Sequence, residues 1–292
     1  MKLHGSITAL VTPFKNRELD EDAFVKLVNH QIDSGTHGVV PVGTTGESAT
    51  LSHDEHRRVV RLCREVVNGR VPIIAGAGSN STREAIGLGQ FAQENGADAL
   101  LSVTGYYSKP SQAGLIAHFT ALHDNTDLPI ILYNVPGRTI ANLSVETIAT
   151  LSQLPRVIGI KDATADLGRV ALQRLASGAD FIQLSGEDMT AVGFNAMGGS
   201  GCISVCSNVA PAHCAKMQEA TLRGDFETAV GYQDQLAPLH DALFMDTSPG
   251  PVKYALSLLG MCEPDLRLPL VAPSEASQAA IRNALKRLEM ID

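Results

Sequence analysis

The 292-residue sequence contains no stretch approaching the roughly 20 uninterrupted apolar residues of a membrane-crossing helix. Its opening, Met1-Lys2-Leu3-His4-Gly5, meets polar residues before any signal-like apolar region develops, so a cytoplasmic location is expected. Basic residues are in deficit: 23 Lys and Arg stand against 31 Asp and Glu, a formal charge of −8. That balance argues against a broad nucleic-acid or anionic-lipid face, and an anionic substrate must then be met by a local cation. Cysteine is scarce as well. Cys63, Cys202, Cys206, Cys214 and Cys262 are odd in number and form no CxxC pair, so free thiols are expected in a chain too large to need disulfide staples. Cys202, Cys206 and His213 lack zinc-type spacing, and Cys202 falls in a strand-like apolar run, so no metal is expected. Finally, the first apolar run ends in Val11-Thr12-Pro13-Phe14 rather than a glycine-rich phosphate fingerprint, which disfavours a doubly wound dinucleotide fold.

What is present is repetition. Short runs rich in Val and Ile recur roughly every 25 to 35 residues, separated by segments of helical periodicity. Eight runs are identified: Ile7 to Val11, Gly38 to Val42, Pro72 to Ala75, Ala99 to Val103, Pro129 to Tyr133, Val157 to Lys161, Phe181 to Ser185 and Cys202 to Val205. Nearly continuous hydrophobicity implies burial on both faces, as in a parallel sheet covered by helices. Ser52-His53-Asp54-Glu55 and Ser81-Thr82-Arg83-Glu84 both fit the capping-box spacing at helix starts. Beyond about residue 224 the strand signal stops and the chain turns helical, with a break at Asp246-Thr247-Ser248-Pro249-Gly250-Pro251. The expectation is an α/β fold, a (β/α)8 barrel over residues 1–224 with a helical C-terminal extension over 225–292.

Barrel active sites form at the C-terminal ends of the strands, which narrows the search. Lys161 closes the sixth run after Val157-Ile158-Gly159-Ile160, whereas Lys2, Lys15, Lys26, Lys216 and Lys286 fall in turn-like or surface-helix contexts. A lysine among apolar neighbours is costly while charged, and burial favours the free amine that attacks a carbonyl. A structural ion pair with Asp162 or another acid is the equal alternative from spacing alone. Tyr133 closes the adjacent fifth run, within reach to pass protons, or else to serve as a core tyrosine with a satisfied hydroxyl. The turn Gly43-Thr44-Thr45-Gly46-Glu47-Ser48 lacks the lysine of a P-loop, and its amides and Thr45 suit a small carboxylate. Arg138, after a Pro-Gly turn, can grip a second carboxylate or be a solvated surface arginine.

Taken in order, several segments resemble the 4-hydroxy-tetrahydrodipicolinate synthase family, formerly the dihydrodipicolinate synthases, within the pyruvate-dependent class I aldolase and N-acetylneuraminate lyase superfamily. They are Gly43 to Leu51, Tyr106-Tyr107 with Lys109-Pro110, Tyr133 to Thr139, Gly159 to Ala163, Leu184 to Asp188 and Gly201 to Val205. The resemblance implies that Lys161 forms an imine with pyruvate, with no separate cofactor, and that the enamine attacks L-aspartate 4-semialdehyde. It implies Tyr133, Thr44 and Tyr107 as a proton relay, with the phenol of Tyr107 supplied by a neighbouring subunit, and thus a homo-oligomer, a tetramer built from dimers. Thr45 would hold the pyruvate carboxylate, Gly186 and Ile203 would line the pocket, and Arg138 would orient the semialdehyde. It further implies inhibition by L-lysine through Ser48, Ala49, His53, His56, Asn80, Glu84 and Tyr106. Two alternatives accompany this reading: a pyruvate-dependent aldolase of N-acetylneuraminate or another sugar acid, and a non-catalytic barrel that senses L-lysine. Departures from the family pattern are Gly105 before the paired tyrosines, where proline is common, and Ser248 and Gly250, expected to affect the extension rather than the rim.

Overall fold

A computed structural model describes residues 3–292. Eight parallel strands form one sheet: β1 (Gly5–Ala9), β2 (Gly38–Val40), β3 (Ile74–Gly76), β4 (Ala99–Val103), β5 (Ile130–Asn134), β6 (Val157–Asp162), β7 (Ile182–Ser185) and β8 (Gly201–Ser204). Their order is β2-β1-β8-β7-β6-β5-β4-β3, and a parallel bridge from Val39 to Ile73 joins the outer two strands and closes the barrel. The expected runs coincide with these strands to within two residues. The second run stops at Val40 because Val42 adopts a left-handed backbone, φ 51°, which no ladder accommodates.

Between the strands lie α1 (Glu21–Asp33), α2 (His53–Val67), α3 (Thr82–Glu94), α4 (Gln112–Asp124), α5 (Val145–Leu151), α6 (Gly168–Ser177), α7 (Ala191–Ala196) and α8 (Pro211–Leu222). The capping box at α2 forms: Ser52 Oγ accepts from Glu55 N, and Glu55 returns a carboxylate to Ser52 N. The one expected at α3 does not. Ser81 makes no side-chain cap: its amide donates to Ser79 Oγ, and the Glu84 carboxylate meets Ser79 Oγ and His53 Nε2 rather than the Ser81 amide. No helix among the described residues is long and apolar enough to cross a membrane.

The sheet separates two apolar layers. Ile7, Val40, Ile74, Leu101, Ile131, Tyr133, Leu184 and Ile203 point into the barrel, while alternate residues such as Val39, Ile73, Leu100, Leu132 and Ile160 meet the helices. Beyond α8 follow α9 (Phe226–Ala242), α10 (Gly250–Leu258) and α11 (Glu275–Arg287). The break before α10 is tied down by Asp246, whose carboxylate accepts from both the amide and the hydroxyl of Ser274 at 2.8 Å.

Two cations fasten this C-terminal segment to the barrel. Arg267 donates to both oxygens of Glu55 at 2.5 and 2.8 Å and to the carbonyls of Arg17 and Thr50. Lys253, fully buried on α10, pairs with Glu47, donates to Asp265 O at 2.9 Å and lies 4.0 Å above the Phe14 ring. Burial pushes the Lys253 amine down, and the Glu47 charge opposes this.

Arg267 holds the Glu55 carboxyl at about 2, below its ordinary 4.5, chiefly through their hydrogen bond and against the opposing effect of burial. A carboxyl depressed in the folded state stabilises above its unfolded value and loses that contribution as pH falls through the folded one. Arg267→Ala is expected to lower the melting temperature at pH 7 by several degrees, from a loss of about 2 kcal/mol for a bidentate charged pair. The gap between parent and variant should narrow from about pH 5 toward pH 2, as thermal melts across that range will show; a pH-independent gap excludes Glu55 as the cause.

Candidate active site

Strand alternation decides the chemistry of β6. Lys161 stands beside Tyr133 of β5 and Leu184 of β7 in the ladder, on the inward face, and the next residue, Asp162, faces outward. There Asp162 binds Arg169 Nε at 3.1 Å, Gln173 Nε2 at 2.7 Å and the Thr164 amide at 3.0 Å. The ion pair between Lys161 and Asp162 therefore does not exist. Two lysines are buried among the described residues, and they differ in one respect. Lys253 is engaged by Glu47 and Asp265, whereas Lys161 makes neither ion pair nor hydrogen bond, and its Nζ lies 4.4 Å from the centre of the Tyr133 ring. Lys15, Lys26, Lys216 and Lys286 are exposed as expected; Lys2 lies outside the described residues.

The surroundings of Lys161 are built to leave it room. A Cβ at Gly186 would sit 2.9 Å from Lys161 Cε and 2.7 Å from Ala163 Cβ, so glycine is required by close approach. Ile203 belongs to the same inward layer. The Tyr133 phenol, though the residue is 7% exposed, has no hydrogen-bond partner in the protein, so the satisfied core tyrosine is not what the structure holds. Thr45 is likewise buried with a free hydroxyl. In the turn that carries it, the amides of Gly46, Glu47 and Ser48 are spent on the carbonyls of Gly43 and Thr44, while those of Thr44 and Thr45 make no bond. An amine, a phenol, a hydroxyl and two amides thus make no hydrogen bond within the protein at one barrel end.

Above them opens a cavity of about 550 Å3. Its wall includes Thr44 and Arg138, but not the buried Lys161, Tyr133, Thr45 and Ile203, nor the half-buried Gly186. Arg138 sits on the short helical turn Pro136–Thr139, is exposed, and makes no ion pair among the described residues. The Thr139 hydroxyl steadies that turn from 3.1 Å of Val135 O and 2.9 Å of Ala141 O. The same cavity extends to Ser48, Ala49, His53, His56, Glu84 and Tyr106. Asn80 is exposed and does not line it. Glu84 is held below the usual carboxylate range by Ser79 and then His53, so it stays anionic. Burial pushes His56 down to about 4, and it is neutral near pH 7. Its Nε2 is 3.0 Å from Gly76 O; a carbonyl only accepts, so Nε2 carries the proton.

Three positions bear on the expectations above, and one of them, Ser248, departs. Tyr107 is 90% exposed, with φ 70°, and does not face its own cavity. Gly105 is not itself left-handed; the unusual backbone falls at Tyr107 and Lys109 instead. Ser248 does line the cavity, with Pro269 and Leu270, so the extension contributes to the rim it was expected to leave alone. Sequence reasoning also missed Lys253 and gave Glu47 no role. The signal was available: Lys253 sits among Pro251, Val252, Ala255 and Leu256, the same apolar flanking that singled out Lys161.

The profile of the dihydrodipicolinate synthetase family matches residues 2–288. A 4-hydroxy-tetrahydrodipicolinate synthase of Parvibaculum lavamentivorans is 61% identical over 288 residues, covering 99% of each chain. Among solved structures, a chloride-inhibited dihydrodipicolinate synthase from Acinetobacter baumannii complexed with pyruvate superposes with a TM-score of 0.97 at 43% identity, covering 99% of this chain and 100% of that one. A second, from Cyanidioschyzon merolae with lysine bound, gives 0.95 at 37% identity and covers 99% of both. A family profile that spans nearly the whole chain, together with relatives matched end to end, shows that the chain belongs to the dihydrodipicolinate synthetase family.

Proposed function

We propose that the protein condenses pyruvate with L-aspartate 4-semialdehyde to 4-hydroxy-tetrahydrodipicolinate, in lysine and diaminopimelate biosynthesis in the cytoplasm. The observation that carries this reading is the unpaired amine of Lys161 against the Tyr133 ring. The amine attacks the pyruvate ketone, and the carbinolamine loses water to give an imine. Tyr133, whose phenol is free, delivers and recovers the protons, with Thr44 next to it in the relay. Loss of a proton from the pyruvate methyl group gives an enamine, whose carbon attacks the aldehyde of the second substrate. Cyclisation by the substrate amine then displaces Lys161 and restores it. Thr45 and the free amides of its turn hold the pyruvate carboxylate, and Gly186 and Ile203 shape the pocket around it. Arg138, the free cation on the cavity wall, takes the semialdehyde carboxylate, which favours this acceptor over a sugar acid.

The relay is completed by Tyr107 from a second copy of the chain, since its own copy turns it outward, and the working unit is a homo-oligomer, a tetramer built from two dimers. Residues 1–224 act as the catalytic barrel and 225–292 as its brace. L-Lysine, as inhibitor, occupies the outer end of the cavity, its ammonium on Glu84 among Ser48, Ala49, His53, His56 and Tyr106, with Asn80 closing over it.

Borohydride reduction with pyruvate is expected to add a pyruvyl mass at Lys161, located by peptide mass spectrometry, and to add none in Lys161→Arg. An unchanged adduct in the variant removes Lys161 from the mechanism. Mixing Lys161→Ala chains with Tyr107→Phe chains should yield more activity than either alone, because one site of a mixed dimer is then complete; no gain would place Tyr107 outside the relay. Glu84→Gln should raise the L-lysine concentration for half-inhibition by about tenfold or more, the cost of one charged hydrogen bond. If saturating L-lysine leaves the parent's activity unchanged, the effector site is refuted.

A further inference from the structure

The turn Gly43–Ser48 holds residues of both ends of the cavity, yet its conformation is unfavourable by itself. Val42 and Glu47 both have left-handed backbones, φ 51° and 54°, and neither is glycine or asparagine, the residues that tolerate it. Something outside the turn has to hold it. Thr12 Oγ1 donates to Gly46 O at 2.6 Å, and Thr50 Oγ1 to Glu47 O at 3.1 Å. The Glu47 carboxylate is the deepest anchor: it is 2% exposed, pairs with Lys253, and accepts from the Arg267 amide at 3.3 Å. Lys253 is in turn fixed by Asp265 O and by the Phe14 ring, on which the Arg267 guanidinium also rests at 4.2 Å.

A fully buried ion pair is a poor stabilising device, because two desolvated charges gain little over a neutral pair of similar shape. It is a good positioning device. Charge and reach together admit one placement of the carboxylate, and the backbone of Glu47 follows, two residues from Thr45 and three from Thr44. Arg138 stands on a different turn, held by Thr139 and independent of Glu47.

We infer that Glu47 and Lys253 are positioning residues for the pyruvate end of the site, through which the C-terminal extension sets the placement of Thr44 and Thr45. This rests on the pyruvate reading proposed above. It implies a kinetic division: loosening the pair impairs pyruvate capture and imine formation and leaves recognition of the semialdehyde carboxylate alone.

Lys253→Met and Glu47→Gln each strand the other partner, so the informative protein is the double variant Glu47→Gln/Lys253→Met, which removes both charges at near-constant volume. Thermal melting, steady-state kinetics in both substrates and the rate of borohydride trapping at Lys161 are to be measured on the full chain. The double variant should melt close to the parent. Its kcat/KM for pyruvate and its trapping rate should fall together by on the order of 10- to 100-fold, as for a misplacement of about 1 Å, while the KM for the semialdehyde stays within about twofold. A parental trapping rate, or an equal rise in both KM values, overturns the inference. Should the double variant fail to fold, Glu47→Asp decides: it keeps both charges and shortens the reach by one methylene, so it should show the same division in weaker form, and parental pyruvate kinetics there overturn the inference too. A parent that forms no adduct refutes the pyruvate reading instead.

Discussion

In a parallel strand, neighbouring side chains cannot share a face, and on β6 that rule separates a nucleophile from an acid adjacent to it in sequence. Asp162, turned to the helices, is consumed by Arg169, Gln173 and the Thr164 amide. Lys161, turned inward, stands beside Tyr133 and Leu184 and in the room left by Gly186, with no ion pair or hydrogen bond. Had the register slipped by one residue, the amine would have faced the helix layer and the acid the barrel. The closed sheet makes such a slip expensive, since every inward Ile and Val would move with it.

The barrel then assembles around that amine by contributing one short segment per strand end. β5 supplies Tyr133 and the turn with Arg138, β7 supplies Gly186, β8 supplies Ile203, and the connection after β2 supplies Thr44 and Thr45. These segments differ in how firmly they are held. The Arg138 turn is closed by its own neighbour Thr139, whereas the Gly43–Ser48 turn depends on Thr12 and on residues more than 200 positions away, Lys253 and Arg267. The C-terminal segment thus anchors the turn through Lys253 and Arg267 and, at Ser248, forms part of the cavity wall. The cavity is lined by Thr44 and Arg138 together with Ser48, His53, His56 and Glu84. Ser48 and Thr44 belong to one turn, so both groups of lining residues share a stretch of backbone.

The sequence alone determined the eight strands, the helical extension and the apolar setting of Lys161 at a strand end. It could do so because these depend on periodicity and local propensity, which are written residue by residue. What it left balanced, or misread, were choices of partner. Whether Lys161 paired with Asp162, whether Glu84 capped α3 or joined His53 and Ser79, whether the Tyr133 hydroxyl was satisfied, and where Lys253 found its counter-charge each turned on groups distant in sequence. Only the tertiary structure decided them, because a hydrogen bond or ion pair is settled by competition among all the groups that folding brings within about 3 Å, and that set of competitors does not exist until the barrel has closed.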